Sequence, residues 1–129
     1  MSDLYDTCVF IDYWRGDAAA FALIDYARKN PGSAYYCPIS ATELWQYTKL
    51  GRREEIEYVA LIRYFVKEAQ LDTAGAIKAG QWLRPYSRSS RMRLAADALI
   101  AATADSGGHQ IRTRNVKDLR RFHSNVQTY

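Results

Sequence analysis

The regular alternation of short apolar segments with longer amphipathic segments constrains the fold of this chain more than any other feature. The short segments with apolar and β-branched residues are predicted as strands and occupy residues 3–6, 34–39, 69–72, 110–113 and 126–128. The apolar run at residues 8–11 allows the first strand to extend further. The segments between them have helical spacing and occupy residues 18–29, 41–50, 53–68, 73–86 and 92–106. This alternation predicts an α/β fold with a mainly parallel central sheet flanked by helices.

Size and composition favour one domain over residues 1–129. The chain has 129 residues, of which 48% are hydrophobic and 25% charged, close to globular averages. Its first residues include two aspartates where a signal peptide needs basic residues, and its longest low-polarity run, residues 98–104, is far shorter than a membrane span. We therefore expect a cytoplasmic protein without a membrane segment. The two cysteines, Cys8 and Cys37, lack the spacing of a zinc site and are expected in the core.

Positive charge is concentrated towards the end of the chain. The net charge is +4, and from Arg84 onward there are nine Lys or Arg against three Asp or Glu. Basic surface attracts nucleic acids through release of counterions, but a solvated helix face or an acidic protein partner would give the same composition. The charge therefore favours nucleic acid only weakly. The candidate contacts to a phosphate backbone are Arg91, Arg93, Arg112, Arg114 and Lys117.

Acidic and amide side chains follow several of the predicted strands. Asp6 closes the first strand, Glu43 lies shortly after the second, and Asn115 and Asp118 follow the strand that ends at residue 113. Asp97 is the only charged residue in an otherwise apolar helical segment. Parallel sheets place ligand sites beyond the carboxyl ends of their strands, and an isolated buried carboxylate needs a compensating charge. A shared cation would satisfy several of these acids at once.

Each of these residues also has a purely structural interpretation, because short polar side chains commonly cap helices. Caps need no common location, whereas the ligands of one metal ion must converge, so convergence distinguishes the two interpretations. Oxygen ligands without histidine or thiolate favour Mg²⁺ or Mn²⁺. The structural alternatives are a capping box of Ser40 and Glu43, helix caps at Asp97, Asn115 and Asp118, and a turn at Asp6 and Thr7.

Four sequence blocks resemble a known family. They are Asp6-Thr7 with residues 10–16, Ser40-x-Thr42-Glu43-Leu44, residues 97–104 and residues 113–119. In this order and spacing they resemble the PIN domain, specifically the VapC-type toxins of bacterial and archaeal toxin–antitoxin pairs. The resemblance covers nearly the whole chain. It implies a PIN-like three-layer fold and Mg²⁺- or Mn²⁺-dependent endonucleolytic cleavage of RNA, commonly tRNA or rRNA. It also implies inhibition by a VapB-like antitoxin and formation of a homodimer.

The resemblance assigns roles to particular residues. Asp6, Glu43 and Asp97 occupy the three most regular acidic positions of the family. At the fourth position many relatives carry Asp where this chain has Asn115, and others place an acid where it has Asp118. The predicted catalytic residues are Asp6, Glu43, Asp97 and Asp118. The predicted metal ligands are Asp6, Glu43, Asp97 and Asn115, and the predicted substrate-positioning residues are Thr7, Arg114 and Asn115.

Two other functions are alternatives to the nuclease. Asn115 is a neutral ligand, so a noncatalytic PIN-like module that binds RNA or a protein partner is the alternative to the enzyme. A receiver-like signalling domain is disfavoured. Such a domain needs a phosphoacceptor Asp at the end of a central strand, whereas the predicted strand at residues 34–39 leads to Ser40.

Overall fold

A five-stranded parallel sheet forms the centre of the computed structural model, which describes residues 1–47 and 50–129. The strand order is β3-β2-β1-β4-β5, and each of the four pairings is parallel. The strands are β1 (Asp3–Tyr5), β2 (Ala34–Tyr36), β3 (Lys67–Glu68), β4 (Gln110–Arg112) and β5 (Val126–Gln127). The predicted parallel α/β architecture is confirmed.

Helices cover both faces of the sheet. They are α1 (Thr7–Trp14), α2 (Ala18–Lys29), α3 (Pro38–Trp45), α4 (Arg52–Tyr64), α5 (Thr73–Leu83), α6 (Arg88–Gly107) and α7 (Val116–Leu119). Successive residues of a strand point to opposite faces. Accordingly, Tyr5 packs with Phe10, Ile24 and Tyr58 in one buried cluster. Its neighbour Leu4 packs in a second cluster, which contains Ile100 and Ile111.

The first strand is shorter than its apolar run allowed. It ends at Tyr5, and residues 8–11 belong to helix α1 rather than to an extension of the strand. The side chain of Asp6 accepts a hydrogen bond from the backbone N–H of Thr7 and caps this helix. Because a short continuous apolar run fits a buried strand and a buried helix equally well, its periodicity could not separate them.

The ends of other strands and helices differ from the predicted ones for local reasons. Strand β2 ends at Tyr36, before residue 39, because Pro38 starts helix α3, where a missing N–H costs nothing. Helix α3 ends at Trp45, and within the predicted helix 41–50 Thr48 and Lys49 lie outside the described residues. Helix α4 ends at Tyr64, and the third strand occupies Lys67–Glu68 rather than residues 69–72.

The long helix α6 is defined by its two caps. The side chain of Ser87 accepts a hydrogen bond from the N–H of Ser90, so the helix begins four residues earlier than predicted. Gly108 ends it in the left-handed conformation, with φ +68°, as expected from the two consecutive glycines. None of the described helices combines the length and apolarity that crossing a bilayer requires.

Candidate functional site

The site lies where the order of the strands reverses. From β1 the chain moves outward through β2 and β3, and it then returns to the other side of β1 for β4 and β5. Asp6 directly follows β1, and Thr113 directly follows β4. The carboxyl ends of the two strands meet here, because Tyr5 is in register with Arg112. Ligand sites of open parallel sheets lie at such a switch point.

An open cleft of about 580 Å³ occupies this position. It contains three carboxylates from separate parts of the chain, Asp6 before α1, Glu43 on α3 and Asp97 on α6. Its described lining residues are Asp6, Thr7, Cys8, Ile11, Glu43, Gln46, Tyr47, Asp97 and Asn115. The fold therefore brings five predicted site residues to one cleft, as a common site requires and separate caps do not.

Asp6 is the most buried of the three acids, with 6% of its surface exposed. Its Oδ1 accepts the N–H of Thr7 at 2.8 Å, and its Oδ2 accepts the hydroxyl of Thr113 at 2.6 Å. Burial raises the pKa of Asp6, while these hydrogen bonds oppose the rise. Asp6 is thus a helix cap that is also tied to the end of a neighbouring strand.

Thr7 and Glu43 are joined across the cleft. The hydroxyl of Thr7 donates to Oε1 of Glu43 at 2.6 Å and lies 2.8 Å from Oγ of Ser40. The capping box of Ser40 and Glu43, the structural alternative for this pair, is wrong, because Ser40 lies inside α3 and the N-cap residue, Cys37, makes no side-chain capping bond. Burial raises the pKa of Glu43, partly offset by the bond from Thr7.

Asp97 lies in the middle of helix α6, so the cap assigned to it as an alternative is also wrong. Its Oδ2 lies 3.4 Å from Nδ2 of Asn115, which reaches it from the loop after β4. Burial, followed by the negative charges of Asp6, Asp118 and Glu43, raises the pKa of Asp97 from 3.8 to about 7. The acids of this cleft therefore repel one another, and a positive charge between them would relieve the repulsion.

The remaining predicted residues lie beside the cleft. Asn115 occupies the N-cap position of α7 without a side-chain capping bond. Asp118 is not among the described lining residues, and it forms ion pairs with Arg93 at 3.2 Å and Arg121 at 3.0 Å. Burial acts to raise the pKa of Asp118, but the hydrogen bond from Arg121 and the charge of Arg93 lower it overall. Arg114 points to two other acids and does not line the cleft.

Four lining residues were not predicted for the site. Gln46 and Tyr47 stand three and four positions after Glu43, a spacing that places side chains on one side of a helix and could have indicated them. Ile11 has the same relation to Thr7. Cys37 is buried as expected, but Cys8 is only half-buried, and its Sγ lies 3.5 Å from the hydroxyl of Thr113.

The donor atoms of the cleft suit a hard divalent cation. Among residues 1–47 and 50–129, no three Asp, Glu, His or Cys side chains form a ready-made metal-binding group. Mg²⁺, however, usually keeps several water ligands and binds proteins through only one or two carboxylates. The cleft offers carboxylate, amide and hydroxyl oxygens, and none of its described lining residues is Lys or Arg. The residues present therefore fit Mg²⁺ or Mn²⁺.

Three solved structures share the fold of this chain. A chain in the crystal structure of VapBC2 from Rickettsia felis bound to a promoter DNA fragment has a TM-score of 0.71 and 14% identity, over 100% of this chain and 99% of that chain. A chain of a toxin–antitoxin complex from Klebsiella pneumoniae has a TM-score of 0.65 and 22% identity, over 98% and 97%. A chain of FitAcB from Neisseria gonorrhoeae has a TM-score of 0.65 and 20% identity, over 98% and 96%.

Sequence comparison identifies the family. None of the curated proteins compared with the chain matches it significantly. The PIN domain matches residues 4–122, which include the three carboxylates, Asn115 and all of the sheet except Asp3 and the last strand. The chain therefore belongs to the PIN domain family.

Proposed function

We propose that this chain is a Mg²⁺- or Mn²⁺-dependent endoribonuclease and the toxin of a toxin–antitoxin pair. PIN domains are generally nucleases, and the family match spans nearly the whole chain. The similar folds belong to chains of toxin–antitoxin assemblies. RNA, with tRNA or rRNA as the first candidates, is the substrate that the resemblance to VapC-type toxins implies.

The observation that carries the proposal is the convergence of three buried or partly buried carboxylates on one cleft. Asp6, Glu43 and Asp97 come from distant parts of the sequence, line one cleft and all have raised pKa values. Uncompensated carboxylates would also repel a phosphodiester. A cation bound between the carboxylates would reduce their repulsion and would also attract the phosphodiester. It therefore accounts for a cluster that would otherwise be unfavourable and would repel the substrate.

The residues divide the work by their positions. Asp6, Glu43 and Asp97 would hold the ion, and the side-chain oxygen of Asn115 would serve as a neutral ligand. Thr7 fixes the Glu43 carboxylate through its 2.6 Å hydrogen bond and presents its backbone at the start of α1. Thr113 fixes Asp6 in the same way. The catalytic role predicted for Asp118 stays a prediction, because its carboxylate is held between two arginines.

A bound divalent ion supplies a water of lowered pKa and neutralises negative charge on the phosphoryl oxygens. The protein contributes orientation. Hydrogen bonds from Thr7 and Thr113 hold Glu43 and Asp6, respectively, and burial of Asp6 limits competing water. Carboxylate oxygens that are already fixed and partly dehydrated lose little conformational freedom when they bind the cation, and this favours the reaction.

The partner and assembly belong to the same proposal. We expect a VapB-like antitoxin protein to inhibit the enzyme, and we expect the toxin to form a homodimer in the cytoplasm. Apolar side chains are exposed on several helices, including Phe21 on α2, Ile56 on α4 and Ile77 on α5. Exposed apolar surface of this kind is available to protein partners.

The test is cleavage of total RNA by the purified protein with Mg²⁺, with Mn²⁺ and with a chelator, followed by mapping of the new ends. We expect cleavage with either metal and none with the chelator. Asp6→Asn and Asp97→Asn should abolish it, because each removes a charged ligand while keeping its shape. Asp25→Asn is the matched control, since Asp25 does not line the cleft and forms an ion pair with Lys29 on the same helix. Cleavage that survives the chelator and both site variants would reject the enzyme.

A noncatalytic RNA-binding or partner-binding module is the second candidate. It is favoured by the lack of a ready-made group of three metal-binding side chains in the described residues and by the neutral Asn115. The same experiment separates the two functions. A module would retain RNA without producing new ends, and its RNA binding would be unaffected by Asp97→Asn.

A further inference from the structure

The three residues after strand β4 each contact a different part of the cleft. The hydroxyl of Thr113 donates to Asp6 at 2.6 Å, the backbone N–H of Arg114 points at Sγ of Cys8 at 3.4 Å, and the side chain of Asn115 meets Asp97 at 3.4 Å. In addition, the backbone N–H of Asn115 donates to the hydroxyl of Thr113 at 2.9 Å. The position of this short segment therefore sets the orientation of two acids and one amide.

The side chain of Arg114 anchors the segment from outside the cleft. One guanidinium nitrogen, Nη2, lies 3.1 Å from both carboxylate oxygens of Asp17, the residue that caps helix α2. Nε lies 3.6 Å from Asp12 on helix α1. The guanidinium also stacks 4.4 Å from the ring centre of Tyr129. Arg114 thus joins the segment to two helices and to the residues that follow β5.

Tyr129 completes this arrangement. Its hydroxyl donates to Oδ2 of Asp12 at 2.6 Å, which places Asp12 between Tyr129 and Arg114. Burial, and then the hydrogen bond to Asp12, raise the pKa of Tyr129, so its hydroxyl keeps its proton at neutral pH. An isolated exposed ion pair contributes little, but shared partners and a stacked ring restrict a guanidinium far more. We call these four residues, Asp12, Asp17, Arg114 and Tyr129, the Arg114 clamp.

We propose that the Arg114 clamp positions Thr113 and Asn115 for catalysis and that Arg114 does not bind the RNA. Arg114 is a positioning residue, because it reaches the reacting groups only through its neighbours in the chain. Its positive charge is already matched by Asp12 and Asp17, so little attraction is left for a phosphate. This inference rests on the proposed nuclease function.

Three variants remove one part of the clamp each. Asp17→Asn removes the charge that holds Arg114 but leaves a residue that caps helices equally well. Tyr129→Phe removes only the hydroxyl, and Arg114→Met removes the guanidinium. Arg53→Met is the matched control, because Arg53 pairs with Glu57 on an exposed helix surface and does not line the cleft.

Two readouts are measured for every variant. The first is steady-state cleavage of an RNA oligonucleotide that contains the mapped site, with kcat and KM determined separately. We expect Asp17→Asn and Arg114→Met to lower kcat at least tenfold while KM changes less than twofold, a smaller effect in the same direction for Tyr129→Phe, and no change for Arg53→Met. Arg114→Lys should recover part of the lost kcat, because lysine keeps the charge but not the fork of donors.

The second readout does not depend on activity. Amide hydrogen exchange of Asn115 in the metal-free protein reports its bond to Thr113, and we expect it to become at least tenfold faster in Asp17→Asn and Arg114→Met. If Arg114 instead contacted the RNA, Arg114→Met would raise KM. Asp17→Asn would lower KM, because it frees the guanidinium of Arg114 to bind the RNA. That result, or unchanged exchange at Asn115, would overturn the clamp. If the wild type cleaves no RNA, the nuclease proposal fails, whereas the exchange measurement still decides whether Arg114 holds the segment.

Discussion

Replacing Asp97 by asparagine should stabilise the metal-free protein, although most substitutions at half-buried positions destabilise. Burial and three neighbouring acids raise the pKa of Asp97 from 3.8 to about 7. The amide has nearly the same shape, carries no charge and can accept the hydrogen bond from Asn115 through its oxygen. Asp97→Asn therefore removes the repulsion and leaves the packing of helix α6 in place.

The magnitude follows from the two pKa values. The difference between 3.8 and about 7 corresponds to roughly 4 kcal/mol in the free energy of unfolding. Because part of the side chain is in contact with water, which screens its charge, we halve this figure to about 2 kcal/mol. For a chain of this length, about 2 kcal/mol raises the unfolding temperature by roughly 6–8 °C.

The sign of the pH dependence follows from proton binding. Between pH 3.8 and about 7 the folded wild type holds a proton on Asp97 that the unfolded chain has released, so its stability falls as the pH rises. Above pH 7 Asp97 is ionised in both the folded and the unfolded state, so the full free-energy cost of its charge in the folded protein is present. The advantage of Asp97→Asn should therefore be full at pH 8 and clearly smaller at pH 5.

The assay is urea unfolding of both proteins at pH 5 and pH 8 in chelator, repeated with millimolar Mn²⁺. In Mn²⁺ the wild type should gain stability and the variant much less, since an ion stabilises only the state that binds it. Asp25→Asn should change stability by less than about 0.5 kcal/mol at either pH. A variant that is less stable than the wild type in chelator at pH 8 would refute the reasoning.

Two further substitutions test local parts of the structure. Thr7→Val keeps the shape of the side chain but removes its hydrogen bonds to the fully buried hydroxyl of Ser40 and to the carboxylate of Glu43. We expect a loss of roughly 1–3 kcal/mol in urea unfolding and weaker Mn²⁺ binding, and an unchanged midpoint would show that these bonds contribute nothing. Gly108→Ala should cost about 1 kcal/mol, because φ at Gly108 is +68°. Gly80→Ala, in the exposed interior of helix α5, should instead stabilise by up to about 1 kcal/mol, and equal effects at the two glycines would contradict the argument from backbone conformation.

Most of the architecture was predictable because its signals are local. Helix α2 has the predicted limits, since Asp17 caps it and Asn30 follows it directly. Helix α1 was not predicted as such, because the four apolar residues after Thr7 fit either a strand or a helix. Strand β3 was placed two residues too late, since its two residues, Lys67 and Glu68, are exposed and charged and give no apolar signal.

The members of the site were easier to predict than their partners. The convergence of Asp6, Glu43 and Asp97 on one cleft was predictable because each acid stands at an unusual place in an apolar or strand-ending segment. The partners of Arg114 were not identified, because Asp17 and Tyr129 lie 97 and 15 positions away and no periodic pattern connects them. For the same reason, the ion pairs of Arg93 with Asp118 and of Arg112 with Asp3 were not predicted, and both arginines stood only as candidate RNA contacts beside a solvated surface role.

The central claim is that carboxylates at positions 6, 43 and 97 bind one divalent ion between them. The most direct measurement is the anomalous scattering of Mn²⁺ in crystals of the protein grown with the metal. We predict a strong anomalous peak in the cleft beyond the ends of β1 and β4, coordinated by Asp6, Glu43 and Asp97 and lost in crystals of Asp97→Asn. A wild-type crystal saturated with Mn²⁺ that shows no peak in this cleft would contradict the account.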